Sequence, residues 1–260
     1  MTKTMALMCR RSSSNSLIRS AQRDDGVRSV KQYEFGIAGG TVTVRCSDRS
    51  DGSFALDEPA GLLGERRLRL LGEGRQWVGL RQVHGAAVFD PSVAPVINSE
   101  PSLMPQADAS FTFDSDLGLS ILTADCAPVV LIGSNGVAAA HAGWRGAAAG
   151  VIEEAAERLR AGGSEPVATM LGPCIQPGAY EFGAEDLEPI VASFGPEVVG
   201  RTESGTDALD LTRVVQISCE RAGWPVPERP ACTSGAGYYS HRTRADKERQ
   251  ATVAWIEWAA

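Results

Sequence analysis

The stretch Leu117-Gly-Leu-Ser-Ile-Leu-Thr-Ala-Asp-Cys-Ala-Pro-Val-Val-Leu-Ile-Gly-Ser-Asn-Gly-Val-Ala-Ala-Ala-His-Ala-Gly-Trp-Arg-Gly146 decides the architecture. Three apolar runs of strand length follow one another in it, Leu117–Thr123, Val129–Ile132 and Val137–Ala140, the last two separated by a turn at Gly133-Ser-Asn-Gly136. After His141 the chain turns through Gly143-Trp144-Arg145-Gly146 and enters a helix in which Val151, Ile152, Ala155, Ala156 and Leu159 recur at helical spacing. Glu153, Glu154, Glu157 and Arg158 fill its other side, so this helix lays one face on a sheet.

Upstream, Thr41–Arg45 and Ala109–Phe113 alternate, and Trp77–Gln82 and Ala86–Phe89 read as strands broken at His84-Gly85. Downstream, Val167–Leu171 reads as a strand and Glu185–Phe194 as a helix closed by Gly195-Pro196. Asp210 caps an amphipathic helix carrying Leu211, Val214, Val215, Ser218 and Ala222, and Ala251–Trp258 is a strand with Val253, Trp255 and Glu257 on one face. Strands and helices are mixed without strict βαβ alternation, which predicts α+β layers rather than a doubly wound sheet.

With 260 residues, 43% of them hydrophobic, the chain suffices for one sizeable domain or at most two small ones. Residues 1–30 carry six Lys/Arg against two Asp, leaving 19 basic against 30 acidic side chains in the rest. That acidic body argues against nucleic acid as a partner. The Ser- and Arg-rich segment 1–30 lacks apolar periodicity and is expected to be a disordered tail, or to be translated from a start upstream of the true one, with Met5 and Met8 as alternatives; residues 31–260 are the folded part. Its longest apolar run is too short for a signal-peptide core and nothing approaches a membrane span, so the expectation is a cytoplasmic protein with no membrane partner, a transit peptide being the other reading of the basic tail. Six cysteines are scattered without a disulfide framework; in a cytosol they are reduced thiols, and for five of them packing is the expected role.

Cys126 differs because of its surroundings. Two of the three histidines sit in compact motifs, Gln82-Val83-His84-Gly85 and His141-Ala142-Gly143-Trp144-Arg145-Gly146, with Thr123-Ala124-Asp125-Cys126 between them. Together they read as a His/Cys/His site for zinc, whose borderline-soft donors and tetrahedron leave the fourth corner for water or substrate. The rival is a Cys126 nucleophile activated by His141, and the second histidine, His84, tips the balance toward metal. Arg145 beside unpaired helix N–H groups suits an anion, or else is a cap-region residue; Trp144 reads as core. Asp125 is either an orienter holding a histidine N–H or a turn residue, and points away from Cys126.

These motifs, in this order, resemble the laccase-domain family, also called the YfiH or multicopper polyphenol oxidase family. The resemblance runs from about Gly40 to Trp258 and is strongest in Leu122–Leu131, Ala138–Gly150 and Leu171-Gly-Pro-Cys-Ile175. It implies a single-domain sandwich of sheets flanked by helices. It also implies a zinc-dependent purine nucleoside phosphorylase with adenosine deaminase activity, taking adenosine, inosine or methylthioadenosine with inorganic phosphate; some members are called peptidoglycan editing factors. Zinc is expected at His84, Cys126 and His141, copper being the second choice. Tyr239-Ser240-His241-Arg242 resembles an aromatic-Ser-Tyr/His-Arg motif whose arginine is expected near the substrate. Arg145 and Arg242 are the expected anion contacts, and Asp125, Glu181 and Asp108 the acid/base candidates. The sequence departs from the family at Thr243–Arg249, at Gln176 and Gly178-Ala179, and at Cys46–Gly52, so the pocket walls differ more than the ligands. A monomer is favoured. Three other classes compete: a cysteine hydrolase or amidase editing peptidoglycan precursors, a non-catalytic metal-binding module, and a copper phenol oxidase, for which three histidines are too few.

Overall fold

A computed structural model describes residues 18–22, 30–96 and 100–259 of the chain. Its elements in chain order are β1 (Ile18–Gln22), β2 (Lys31–Ile37), β3 (Gly40–Cys46), α1 (Ala60–Leu71), β4 (Gln76–Val78), β5 (Val88–Phe89), β6 (Ala109–Thr112), β7 (Leu117–Thr123), β8 (Ala127–Gly133), β9 (Val137–Ala142), α2 (Trp144–Ala148), α3 (Val151–Ala161), β10 (Pro166–Leu171), α4 (Ala184–Phe194), β11 (Val199–Arg201), β12 (Asp207–Leu209), α5 (Leu211–Arg221), α6 (His241–Arg244) and β13 (Gln250–Trp258). They build a six-stranded sheet, β1-β2-β3-β13-β7-β4, a five-stranded sheet, β10-β8-β9-β6-β5, and the small pair β11-β12.

The apolar runs are continuous because their strands are covered on both faces. In β8, Val130 and Ile132 enter the core between the two sheets, while Val129 and Leu131 enter the core under the helices. In β9, Val137 and Ala139 face the neighbouring sheet, and Ala138 and Ala140 face α3, whose Val151, Ile152, Ala155, Ala156 and Leu159 are fully buried. Alanine on both surfaces lets helix and sheet approach closely. On the opposite side, Ala251, Val253 and Trp255 of β13 pack with Leu63, Leu70 and Leu71 of α1. The layers therefore run α1, six-stranded sheet, five-stranded sheet, then α3, α4 and α5, and the α+β expectation of one layered domain of mixed sheets holds.

Several boundaries differ from the sequence reading. β4 ends at Val78, because Gln82 gives its side-chain amide to the backbone of β7 instead of joining a ladder: Nε2 donates to the Leu122 carbonyl at 2.8 Å and Oε1 accepts from the Leu122 N–H at 2.9 Å. The helix after His141 is two helices, α2 of one short turn and α3, separated by Gly150 at φ 89°. α1 is not anticipated by any apolar periodicity, because Gly61 and Gly64 break up its stripe and it buries only Leu63, Leu70 and Leu71. Asp210 does cap α5, its side chain accepting from the Arg213 N–H at 2.9 Å. Glu257 does not join Val253 and Trp255 in the core but is exposed. Within the expected disordered tail, Ile18–Gln22 forms β1, antiparallel to β2, since the free edge of β2 supplies backbone partners regardless of side-chain pattern; the rest of that expected tail lies outside the described residues. Among the described residues, no helix is long and apolar enough to cross a membrane.

Candidate metal centre

The site forms at one end of the sandwich, where loops from both sheets converge. Cys126 lies in the turn between β7 and β8, at the end of the apolar run Leu117–Thr123. Its neighbour Asp125 has φ 101°, a left-handed conformation that costs an ordinary residue of order 1 kcal/mol and needs fixing from outside. Three contacts do so: Thr233 Oγ1 and the Arg242 N–H each donate to the Asp125 carboxylate at 2.6 Å, and the Ile175 N–H donates to its carbonyl at 2.9 Å. His141 is in β9, opposite Pro128 of β8, and is buried. Alternation places it on the same face as Val137 and Ala139, toward the interior between the sheets. His84 is in no strand; it sits in a loop at φ 62°, at the break read between the flanking strands, although the first of them ends earlier, at Val78.

One carboxylate organises two of these ligands. Asp108 is fully buried and accepts from the backbone N–H of His84 at 2.8 Å, of Gly85 at 2.7 Å and of Val83 at 3.1 Å, so it folds the loop that carries His84. The same carboxylate takes a hydrogen bond from His141 Nδ1 at 2.9 Å. That fixes a proton on Nδ1 and leaves Nε2 of His141 as the nitrogen that would ligate a metal. Burial pushes the Asp108 carboxyl upward, but hydrogen bonds from His141, Gly85 and His84 outweigh it and hold the group below its usual range. The sequence reading placed Asp108 only among acid/base candidates; the orienting role it had offered to Asp125 belongs to Asp108.

His84, Cys126 and His141 present one nitrogen, one sulfur and one nitrogen, all within 4.8 Å of one another. His84 Nε2 lies 3.8 Å from Cys126 Sγ, and the two imidazoles meet edge to face at 4.8 Å between centroids. Tetrahedral zinc with ordinary Zn–N and Zn–S lengths requires an N···S edge of about 3.6 Å, so the His84–Cys126 edge fits the ion with little adjustment. Burial alone would raise the Cys126 thiol, yet the adjacent His141 and hydrogen bonds from both histidines draw it down to the thiolate, the form that ligates metal. Burial would likewise lower His141, and Cys126 and Asp108 together hold it up instead. Gly143 closes the back of the triangle: a Cβ there would stand 2.9 Å from His84 Cδ2 and 3.0 Å from Cys126 Sγ. Nothing but close packing demands that glycine, and its position two residues after His141 is the only sequence sign of it.

The triangle opens into a cavity of about 660 Å³. Arg145 lines it, but α2 is too short to offer a helix N-terminus, and the guanidinium lies over the Trp144 ring at 4.1 Å. Trp144 is half-buried against Phe182 and lines the cavity as well, so it is not purely core. Arg242 lines the cavity too, stacked on Tyr180 at 4.7 Å with Nη1 donating to the Glu181 carbonyl at 2.6 Å. Asp125 faces the cavity with both carboxylate oxygens already engaged, and Glu181 is exposed and outside the lining. Arg81, Lys247 and Arg249, which sequence reasoning did not single out, also line the cavity; it thus carries five Arg and Lys against Asp57 and Asp125 in a chain of net charge −7.

A family model described as multi-copper polyphenol oxidoreductase laccase matches residues 55–257. A protein named purine nucleoside phosphorylase from Streptomyces coelicolor is 34% identical over 252 residues, covering 91% of this chain and 99% of that protein. The purine nucleoside phosphorylase YfiH of Escherichia coli is 32% identical over 201 residues, 74% of this chain and 80% of its own length. Among solved structures, a hypothetical protein YfiH of Bacillus licheniformis superposes with a TM-score of 0.73 at 20% identity, over 90% of this chain and 98% of that one. YlmD of Geobacillus stearothermophilus gives a TM-score of 0.69 at 23% identity, over 86% and 95%. Matches that span most of the folded chain, and relatives that align along nearly all of it, make this protein a member of the laccase-domain, or YfiH, family.

Proposed function

We propose that this protein is a zinc-dependent purine nucleoside phosphorylase that also deaminates adenosine. The observation that carries the reading is the juxtaposition of the His84/Cys126/His141 triangle with a cavity whose walls are basic although the protein is acidic. The relatives' shared name supports the substrate class, purine nucleosides with inorganic phosphate. Zinc is favoured over a copper cluster because the chain has three histidines, and two are used in one mononuclear triangle.

Zinc, when bound, supplies Lewis acidity and a bound water whose pKa falls to about 7. The chain's own residues do the rest. Arg145 and Arg242 hold the phosphate dianion that attacks the ribose anomeric carbon, and the backbone clamp on Arg242 through Asp125 and Glu181 sets where its charge sits. Asp125 and Glu181 are accordingly positioning residues rather than the acid and base first considered. Asp108, held ionised and fully bonded, keeps His141 in the ligating tautomer and is no proton donor.

A cysteine-dependent hydrolase is the second reading, favoured by one observation: Cys126, His141 and Asp108 follow one another as a nucleophile, a base and its orienter. Metal analysis decides between them. About one zinc per chain is expected, with alanine at His84, Cys126 or His141 removing metal and phosphorolysis of adenosine together. Full zinc in Cys126→Ala with activity lost would give the site to the nucleophile.

A further inference from the structure

Besides Arg249, the cations of the cavity fall into two groups. Arg145 and Arg242 stand beside Trp144 and Tyr180, on the side of the five-stranded sheet and its helices. Arg81 follows β4 and Lys247 precedes β13, both strands of the six-stranded sheet. The Lys247 loop is built rather than loose: the Phe54 N–H donates to the Arg249 carbonyl at 2.8 Å, and the Arg249 guanidinium donates to the carbonyls of Asp246, Lys247 and Glu248 at 3.3, 2.7 and 2.8 Å. Arg249 is thereby consumed in the loop. Among the described residues, the side chains of Arg81 and Lys247 have no hydrogen-bond or ion-pair partner, and the acidic residues that line the cavity with them are Asp57 and the already bonded Asp125. The metal triangle, formed by the β7–β8 turn, β9 and the His84 loop, lines the same cavity.

One phosphate dianion accounts for Arg145 and Arg242. A neutral nucleoside leaves Arg81 and Lys247 without a counterpart, whereas a second anion on the ribose, away from the anomeric carbon, meets them. We propose that the preferred riboside is a nucleoside 5′-monophosphate, its ester held by Arg81 and Lys247. This rests on the reading that the site takes purine ribosides. The chemistry balances as for a neutral nucleoside: a phosphate oxygen bonds to the anomeric carbon and the carbon–nitrogen bond breaks with its electron pair on the base. The proton of hydrogenphosphate ends on the base, and ribose 1,5-bisphosphate is left.

The test is equilibrium binding of adenosine and of adenosine 5′-phosphate to the zinc-loaded full chain in phosphate-free buffer, for the wild type and for Arg81→Gln/Lys247→Gln. The ester binds about tenfold tighter than adenosine, as charge-assisted hydrogen bonds at a partly exposed site allow. The ratio falls toward one in the double variant and at high salt. Equal or weaker binding of the ester to the wild type overturns the proposal, as does a tenfold preference that survives the double substitution. Adenosine bound and the ester excluded sinks this proposal alone; failure of both ligands to bind sinks the riboside reading and the proposal with it.

Discussion

Asp108 illustrates how one side chain can decide a site without touching its ligand. Asp108→Asn keeps the shape but cannot accept from three backbone N–H groups and from His141 at once. Zinc affinity is expected to fall about 10–100-fold with the far-ultraviolet circular dichroism unchanged, read by competition with a chelator. The same residue sets an acid limit. Its folded carboxyl lies below the ordinary value of 3.8, so its contribution to stability is present above that value and is lost as pH falls through the folded pKa. Acid unfolding of the metal-free protein should therefore be shallower in the Asn variant; identical curves would remove Asp108 from the account. Arg145→Ala should raise the phosphate requirement of phosphorolysis about tenfold, a charge-assisted contact discounted for an exposed side chain, with zinc content unchanged and water-driven deamination less affected. Equal loss of both reactions would mean that Arg145 serves the nucleoside or the fold.

At the scale of elements, Gly143 between β9 and α2 tests whether the triangle is held by packing. Gly143→Ala drives a methyl group against His84 and Cys126, so metal should be lost while the thermal transition of the apo protein moves little. Unchanged zinc stoichiometry and affinity would show that the His84 loop yields. The strands around this point were legible from sequence because they are covered on both faces: Val129–Ile132 and Val137–Ala140 are unbroken apolar runs, and each proved to lie inside a longer strand. The cluster of His84, Cys126 and His141 was legible through its motifs, Gln82 included, though not the bond it makes to Leu122. What stayed hidden depends on distant partners. α1 has a thin apolar stripe and gains its helix from β13; Asp108 looks like an ordinary acid before a strand until His84 and His141 are brought to it from 24 and 33 residues away. Lys247 and Arg81 meet at one cavity only after β4 and β13 have joined the same sheet.

For the whole molecule, the edge strand β1 yields a stability prediction. Removing residues 1–30 strips β1 from β2 and leaves β2 as the sheet edge, three strands away from β7 and the turn that carries Cys126. The melting temperature is expected to drop by about 2–4 °C, corresponding to about 1 kcal/mol in a domain of this size, with zinc content and turnover retained. A drop of tens of degrees would place far more of the stability in that segment. The order β3-β13-β7 carries a different consequence, one of timing. β13 fills the centre of the six-stranded sheet, so the halves built from β1 to β3 and from β7 with β4 stay apart until Gln250–Trp258 has left the ribosome. Until then β3 and β7 expose unpaired edges whose backbone groups can bind other chains, and the pairing that relieves them spans about 200 residues of sequence for β3 and about 130 for β7, a slow closure. A nascent chain of this protein therefore keeps the β3 and β7 edges open until β13 is made, and dependence on a chaperone should track the position of a stop codon on either side of Gln250.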